Sequence, residues 1–100
     1  MIFEHTYFTK IKYKEENNMN LCFLIGKVVS EIKFDFILNS KDSSIARFSI
    51  ELENKSVVVK GYNEIADYCY KNLITGSIVV IQGSLNSNKE IIIIDINKFV

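Results

Sequence analysis

The amino-acid sequence predicts an all-β domain with one α-helix inserted between its third and fourth strands. Alternating or continuously apolar stretches, which are typical of strands, follow one another along most of the chain. The hydrophobic period changes to about three and a half residues at one place only, just after Gly61. The apolar residues that recur there at helical spacing are Ile65, Ala66, Tyr68, Cys69, Tyr70 and Leu73.

Composition restricts the protein to one small folded domain. The chain has 100 residues, and 48% of them are hydrophobic, which is enough for a single core. Its 12 basic and 12 acidic side chains cancel, giving a formal net charge of zero. This balance argues against a strongly basic coat, although a local stripe of cations would remain compatible with it.

The residues that usually perform catalysis or bind metals are scarce. His5 is the only histidine, and the four glycines are dispersed rather than grouped in a phosphate loop. Cys22 and Cys69 lack metal-ligand spacing, so we interpret them as buried thiols in a reducing cytosol. We expect no enzyme activity, metal, cofactor or small-molecule substrate. No signal peptide or membrane span is evident, which favours a cytoplasmic protein without a membrane partner.

Residues 1–18 differ in character from the rest, being rich in Lys, Glu, Asn and aromatic residues. Residues 6–14 alternate and are consistent with an added strand. Residues 14–18 can instead be encoded by purine-rich codons that resemble a ribosome-binding site ahead of Met19. We therefore expect residues 1–18 to be an N-terminal extension, either disordered or a mis-assigned start, and residues 19–100 to be the folded domain.

The first two strands are predicted at residues 20–29 and 45–53. The first is apolar on both faces, which is typical of a central or partner-covered strand, and Gly26 marks a bend in it. Residues 32–38 continue in β-rich composition before a turn at residues 39–43. The second strand alternates cleanly, with the core face formed by Ala46, Phe48, Ile50 and Leu52.

A tight hairpin at Asn54 and Lys55 leads into the third strand, residues 56–60. Period two places Lys60 and Tyr62 on the outer face, beside Arg47. Asn63 is a suitable N-cap for the helix, and Gly76 separates the helix from the next strand. Residues 78–85 and 90–99 form a second hairpin, whose four consecutive isoleucines predict contact with another subunit.

Five strands with a helix between the third and fourth describe an OB-fold, a small Greek-key barrel. Five segments, in order and at nearly the expected spacing, resemble the bacterial single-stranded DNA-binding protein family. They are Phe23-Leu24-Ile25-Gly26-Lys27-Val28, Ile45-Ala46-Arg47-Phe48-Ser49-Ile50, Val57-Val58-Val59-Lys60-Gly61, Ile65-Ala66-Asp67-Tyr68-Cys69 with Leu73, and Gly76-Ser77-Ile78-Val79-Val80-Ile81-Gln82-Gly83-Ser84-Leu85.

The resemblance implies non-catalytic binding of single-stranded DNA in replication, recombination or repair. Family members stack bases on aromatic rings over a basic groove. The residues we expect to contact nucleic acid are Lys27, Phe34, Arg47, Asn54, Lys55, Lys60 and Tyr62. The resemblance also implies a homodimer or homotetramer, with Leu21, Leu24 and Lys27 near the dimer contact, and we expect Leu21, Leu24 and Val80 at the oligomer interface.

Departures from the family pattern predict weak, sequence-independent binding. The chain has no tryptophan, and Asn54 and Lys60 stand where aromatic residues are common in the family. The family's acidic C-terminal tail has no counterpart in the sequence. These features, together with zero net charge, also suit an alternative: an OB-fold oligomerisation or adaptor module that has lost nucleic-acid binding.

Overall fold

The computed structural model describes residues 11–16, 19–37 and 43–99. In this part of the chain the strands are β1 (Ile11–Glu16), β2 (Met19–Val28), β3 (Lys33–Phe36), β4 (Ser44–Leu52), β5 (Lys55–Tyr62), β6 (Ile78–Leu85) and β7 (Ile91–Lys98). The helix α1 (Glu64–Asn72) lies between β5 and β6. It has nine residues, and no helix among the described residues is long and apolar enough to cross a membrane.

Five of the strands close into a barrel in the order β2-β6-β7-β5-β4, and β4 pairs back onto β2. All pairings in the sheet are antiparallel except that of β5 with β7. The barrel closes close to Gly26, where an added Cβ atom would lie 2.8 Å from the carbonyl oxygen of Glu51. Only glycine allows the backbones of β2 and β4 to approach this closely. The predicted OB-fold, with its helix after the third barrel strand, is confirmed.

The barrel core follows the alternation of the strands. On β4 the predicted inward residues are all buried, and on β6 Val79, Ile81 and Gly83 are buried. Helix α1 contributes Ala66 and Cys69 to the same core. The buried hydrophobic residues are Cys22, Leu24, Val28, Ala46, Phe48, Ile50, Leu52, Val59, Ala66, Cys69, Leu73, Val79, Ile81, Ile91, Ile93 and Ile96. This one continuous cluster holds the barrel and helix together.

Asn63 occupies the N-cap position of α1 but does not cap the helix in the expected way. Its φ is 55°, and its side chain makes no cap hydrogen bond. Instead, the backbone N–H of Ser44 donates to Asn63 Oδ1 at 3.3 Å, and the N–H of Asn63 donates to the Ser44 carbonyl oxygen at 3.0 Å. The amide of Asn63 therefore ties the start of the helix to β4.

A β-bulge between Gln82 and Gly83 interrupts the pairing of β6 with β7. Next to it, Ile94 and Asp95 are both exposed although they are adjacent in sequence, whereas Ile91 and Ile93 are buried. The isoleucine run therefore supplies two core residues and one solvent-exposed residue, Ile94. Its contact with another subunit stays a prediction.

The edge of β2 is covered by β1. The two strands form an antiparallel hairpin in which Ile11 pairs with Leu24 and Glu16 with Met19. The second half of the added strand predicted over residues 6–14 thus coincides with part of β1. Residues 1–10, including His5, lie outside the described residues, and the boundary between residues 18 and 19 stays a prediction.

Candidate functional site

The outer face of β3, β4 and β5 aligns three basic residues across the strands. The register pairs Lys33 with Arg47, and Arg47 in turn with Lys60. Directly opposed residues in such a sheet have Cβ atoms about 4.5–5.5 Å apart. The three side chains, which we call the cationic row, therefore form one band of positive charge across the sheet.

An aromatic ring lies beside this row. Tyr62 follows Lys60 by two residues on β5, so it projects from the same face about 7 Å further along. It pairs with Ile45 of β4 and is 39% exposed. Ile45 in turn pairs with Asp35 of β3, so one carboxylate shares this second row.

Lys27 lies on the same face but apart from the cationic row. It pairs with Glu51, which lies four residues, or about 13 Å, beyond Arg47 on β4. Because an opposite charge faces it directly, Lys27 adds little positive potential to this part of the face. The structure therefore separates Lys27 from Arg47 and Lys60.

Asn54 and Lys55 lie at the end of the barrel, in and after the turn between β4 and β5. Together with Glu51, Glu53 and nearby residues they line an open groove of about 460 Å³. Lys55 is five residues from Lys60 along β5, a separation of about 17 Å. The two carboxylates beside Lys55 make this groove a weaker anion site than the cationic row.

Phe34 lies on the opposite surface of β3 from the cationic row. Its ring centroid is 4.7 Å from that of Tyr70 on α1 and 5.4 Å from that of Phe36. It is partly buried against the core. The geometry therefore matches a packing role, and Phe34 cannot share one binding surface with Lys60 and Tyr62.

The Lys60 ammonium group is engaged by an acid from another part of the chain. Lys60 Nζ lies 2.9 Å from Glu90 Oε1, and the two side chains are 18% and 25% exposed. Hydrogen bonds from Lys60 and Asn86 hold the pKa of the Glu90 carboxyl below its ordinary value, and the charge of Arg47 acts in the same direction. Glu90 is therefore ionised at neutral pH.

Sequence reasoning missed both Lys33 and Glu90. Lys33 is not among the residues expected from the sequence to contact nucleic acid, and only the register with β4 shows that it continues the row from Arg47. Glu90 comes next to Lys60 because β7 runs parallel to β5, with Val59 opposite Ile91. Neither proximity has a local signal in the sequence.

The residues expected at an oligomer interface fall into different environments. Leu24 is 1% exposed and points into the barrel, so its side chain does not reach the outer surface. Leu21 is half-buried, and Val80 is exposed. The exposed apolar residue of β2 is its neighbour Phe23, at 44%, which pairs with Gln82 of β6. Phe23 rather than Leu24 is therefore available for contact.

The described residues contain no group of three or more His, Cys, Asp or Glu side chains that could hold a metal ion. Cys22 and Cys69 are buried and not disulfide-bonded. Burial raises the pKa of Cys22, and it raises the pKa of Cys69 to about 12. Both thiols are neutral at physiological pH.

The chemistry that the outer face offers is binding of an anion beside an exposed ring.

Comparison of the fold with solved structures finds the same architecture in single-stranded DNA-binding proteins. The SSB domain of a protein from Synechococcus sp. superposes with a TM-score of 0.74 at 17% identity, over 83% of this chain and 99% of that chain. A mitochondrial single-stranded DNA binding protein from S. cerevisiae gives 0.68 at 14% identity, over 88% of this chain and 96% of that chain.

The single-stranded DNA binding protein from Thermus aquaticus gives a TM-score of 0.72 at 15% identity. The match covers 82% of this chain but only 41% of the Thermus chain, so this protein spans less than half of that structure. No family model matches the sequence, and no curated protein matches it. At these identities the likeness establishes the OB-fold, which is the fold that the resemblance in the sequence predicts.

Proposed function

We propose that the protein binds single-stranded DNA, weakly and without sequence preference, through the cationic row and Tyr62. The observation that carries this proposal is the register of Lys33, Arg47 and Lys60 across three strands, with an exposed ring on the same face. The shared fold of three proteins whose descriptions name them as SSB or single-stranded DNA binding supports it. The role is non-catalytic and serves replication, recombination or repair in the cytoplasm.

The same residues set the expected strength of binding. Base stacking on an aromatic ring contributes about 1–3 kcal/mol, and among the described residues the proposed face offers one such ring, Tyr62. Asp35, Glu51 and Glu90 lie on or beside this face and oppose phosphate binding. We therefore expect a Kd on the order of micromolar, within the range typical of electrostatic, sequence-independent binding.

A second candidate function is an oligomerisation or adaptor module without nucleic-acid binding. The observation that favours it is the exposure of three apolar side chains on the outer surface of β2, β6 and β7, namely Phe23, Val80 and Ile94. Exposed apolar residues close together are a common mark of protein contacts. The same surface suits a homodimer or homotetramer of the DNA-binding form, so light scattering alone does not separate the two functions.

Fluorescence anisotropy with a labelled oligo-dT of about 16 nucleotides, the upper site size for one OB-fold, is the decisive experiment. We expect micromolar binding at low salt that Tyr62→Ala weakens by about fivefold or more at every salt concentration, because a stacking contact is lost. Tyr70→Ala is the matched control, since Tyr70 is exposed on α1 beside Phe34. Absence of wild-type binding at low salt would reject DNA binding and favour the adaptor.

A further inference from the structure

Glu90 is held in place by its own loop. Asn86 Oδ1 accepts hydrogen bonds from the backbone N–H groups of Asn88 and Glu90, each at 2.9 Å. The N–H of Asn86 donates to the Glu90 carbonyl oxygen at 2.9 Å, and Asn86 Nδ2 donates to Glu90 Oε1 at 3.3 Å. The loop between β6 and β7 thus fixes both the backbone and the carboxylate of Glu90, independently of Lys60.

The parallel pairing of β5 and β7 brings this fixed carboxylate to the end of the cationic row. Lys60 pairs with Ile92, so Glu90 stands two residues before the partner of Lys60. The resulting contact of 2.9 Å joins a lysine and a carboxylate that are both mostly shielded from solvent. An ammonium group held this way is partly neutralised and less available to another anion.

We propose that Glu90 is a built-in competitor for the phosphate of a bound strand, occupying at Lys60 the place that a phosphate oxygen would take. The inference rests on the proposed function. A phosphate can reach Lys60 only if it displaces the Glu90 carboxylate or shares the lysine with it. That carboxylate also repels the strand. Glu90 therefore lowers the affinity of the face for single-stranded DNA and makes its binding less sensitive to salt.

Because of counterion release, the effect of Glu90 can be measured as a change in the slope of log K against log salt. Each single-strand phosphate that a cation neutralises steepens the fall of log K with log salt by about 0.7. In the wild type, Lys60 and Glu90 together add no net charge, so Lys60 contributes little to the slope. Glu90→Gln frees the lysine, and we expect a slope steeper by about 0.7. If the two proteins bind equally at 1 M salt, this slope corresponds to binding about eightfold tighter at 50 mM salt and about threefold tighter at 200 mM.

The experiment measures oligo-dT binding by anisotropy over this salt range for four variants. Glu90→Gln retains the size of the side chain without its charge, and Glu90→Ala removes the side chain beyond Cβ. Both variants should therefore bind oligo-dT more tightly than the wild type. Circular dichroism checks that each variant keeps the fold. Glu64→Gln is the matched control, because Glu64 is an exposed acid on α1 whose loss changes the net charge equally. Glu90→Gln combined with Lys60→Gln tests whether the effect acts through the lysine.

If Glu90→Gln binds oligo-dT more tightly and the double variant does not, the result supports the role of Glu90 as a competitor. If the tighter binding persists without Lys60, or if Glu64→Gln reproduces it, the proposal is overturned in favour of an effect of long-range charge. Equal binding by the wild type and Glu90→Gln overturns the role of Glu90 while leaving the proposed function intact. Failure of both proteins to bind overturns the competitor together with the proposed function.

Discussion

Replacing Lys33 with glutamine tests the strand register on which the cationic row depends. Lys33 is exposed on the short edge strand β3 and reaches the row only because it pairs with Arg47. The substitution removes one charge and keeps most of the side chain. Surface changes of this kind alter the free energy of unfolding by about 0.5 kcal/mol or less. Any loss of DNA binding would therefore report on contact rather than on folding.

The expected loss follows from the number of phosphates released. If Lys33 neutralises one phosphate of a single strand, Lys33→Gln lowers the slope of log K against log salt by about 0.7. When the two proteins are extrapolated to equal affinity at 1 M salt, this slope corresponds to about eightfold weaker binding at 50 mM and about threefold at 200 mM. The effect therefore shrinks as salt rises.

Anisotropy titrations with labelled oligo-dT at several salt concentrations measure this slope directly. Lys71→Gln is the matched control, because Lys71 is an exposed lysine in the last turn of α1 and is not part of the strands that form the row. An unchanged slope in Lys33→Gln, or an equal loss in Lys71→Gln, would refute the assignment of Lys33 to the binding face.

Two further predictions concern the barrel itself. Gly83→Ala should lower the free energy of unfolding by about 1–3 kcal/mol, as measured by urea titration. The reason is that the added Cβ would lie 2.7 Å from the backbone oxygen of Ile92 at the bulge. A stability equal to that of the wild type would show that the bulge relaxes. Cys69 should react with a thiol reagent at pH 8 about a thousandfold more slowly in the folded protein than after unfolding. The reason is that its raised pKa leaves little thiolate in the folded protein. Rapid labelling of Cys69 in the native protein would contradict its burial.

The parts of the fold that the sequence predicted well are those with a local signal. The second barrel strand alternates with one face buried, so its core residues could be assigned from period two alone. The bounds of β6, Ile78–Leu85, were predicted to the residue, since Gly76 precedes the strand and a polar turn follows it. The change of period after Gly61 likewise located α1.

Where both faces of a strand are apolar, period two could not show which side chains face the core and which face solvent. Residues 20–29 offer apolar side chains at odd and even positions, so alternation did not decide between Phe23 and Leu24. The pairing of β2 with β6 on one edge and with β1 and β4 on the other places Leu24 in the core. Asn63 shows a similar limit, because its residue type fitted a cap while its amide bonds to Ser44.

The candidate site was predicted in part. Arg47, Lys60 and Tyr62 could be placed on one face because a short hairpin joins their strands and fixes the register. Lys33 and Glu90 could not, since their contacts join strands across a longer connection and across the parallel pairing of β5 with β7. The functional role of all five residues stays a prediction.

Zero net charge argues against a strongly basic coat but leaves a local row of cations possible, and the register shows why. Charges on the outer face are sorted by row: in the described pairings the row through Arg47 is basic, whereas the neighbouring rows through Ile45 and Ser49 add one carboxylate, Asp35, and no further cation. A strand of DNA responds to the local potential within about one Debye length, roughly 10 Å, rather than to the sum over the chain. A neutral protein can therefore present a cationic row, and the strength of that row then depends on Glu90, the acid that contacts Lys60.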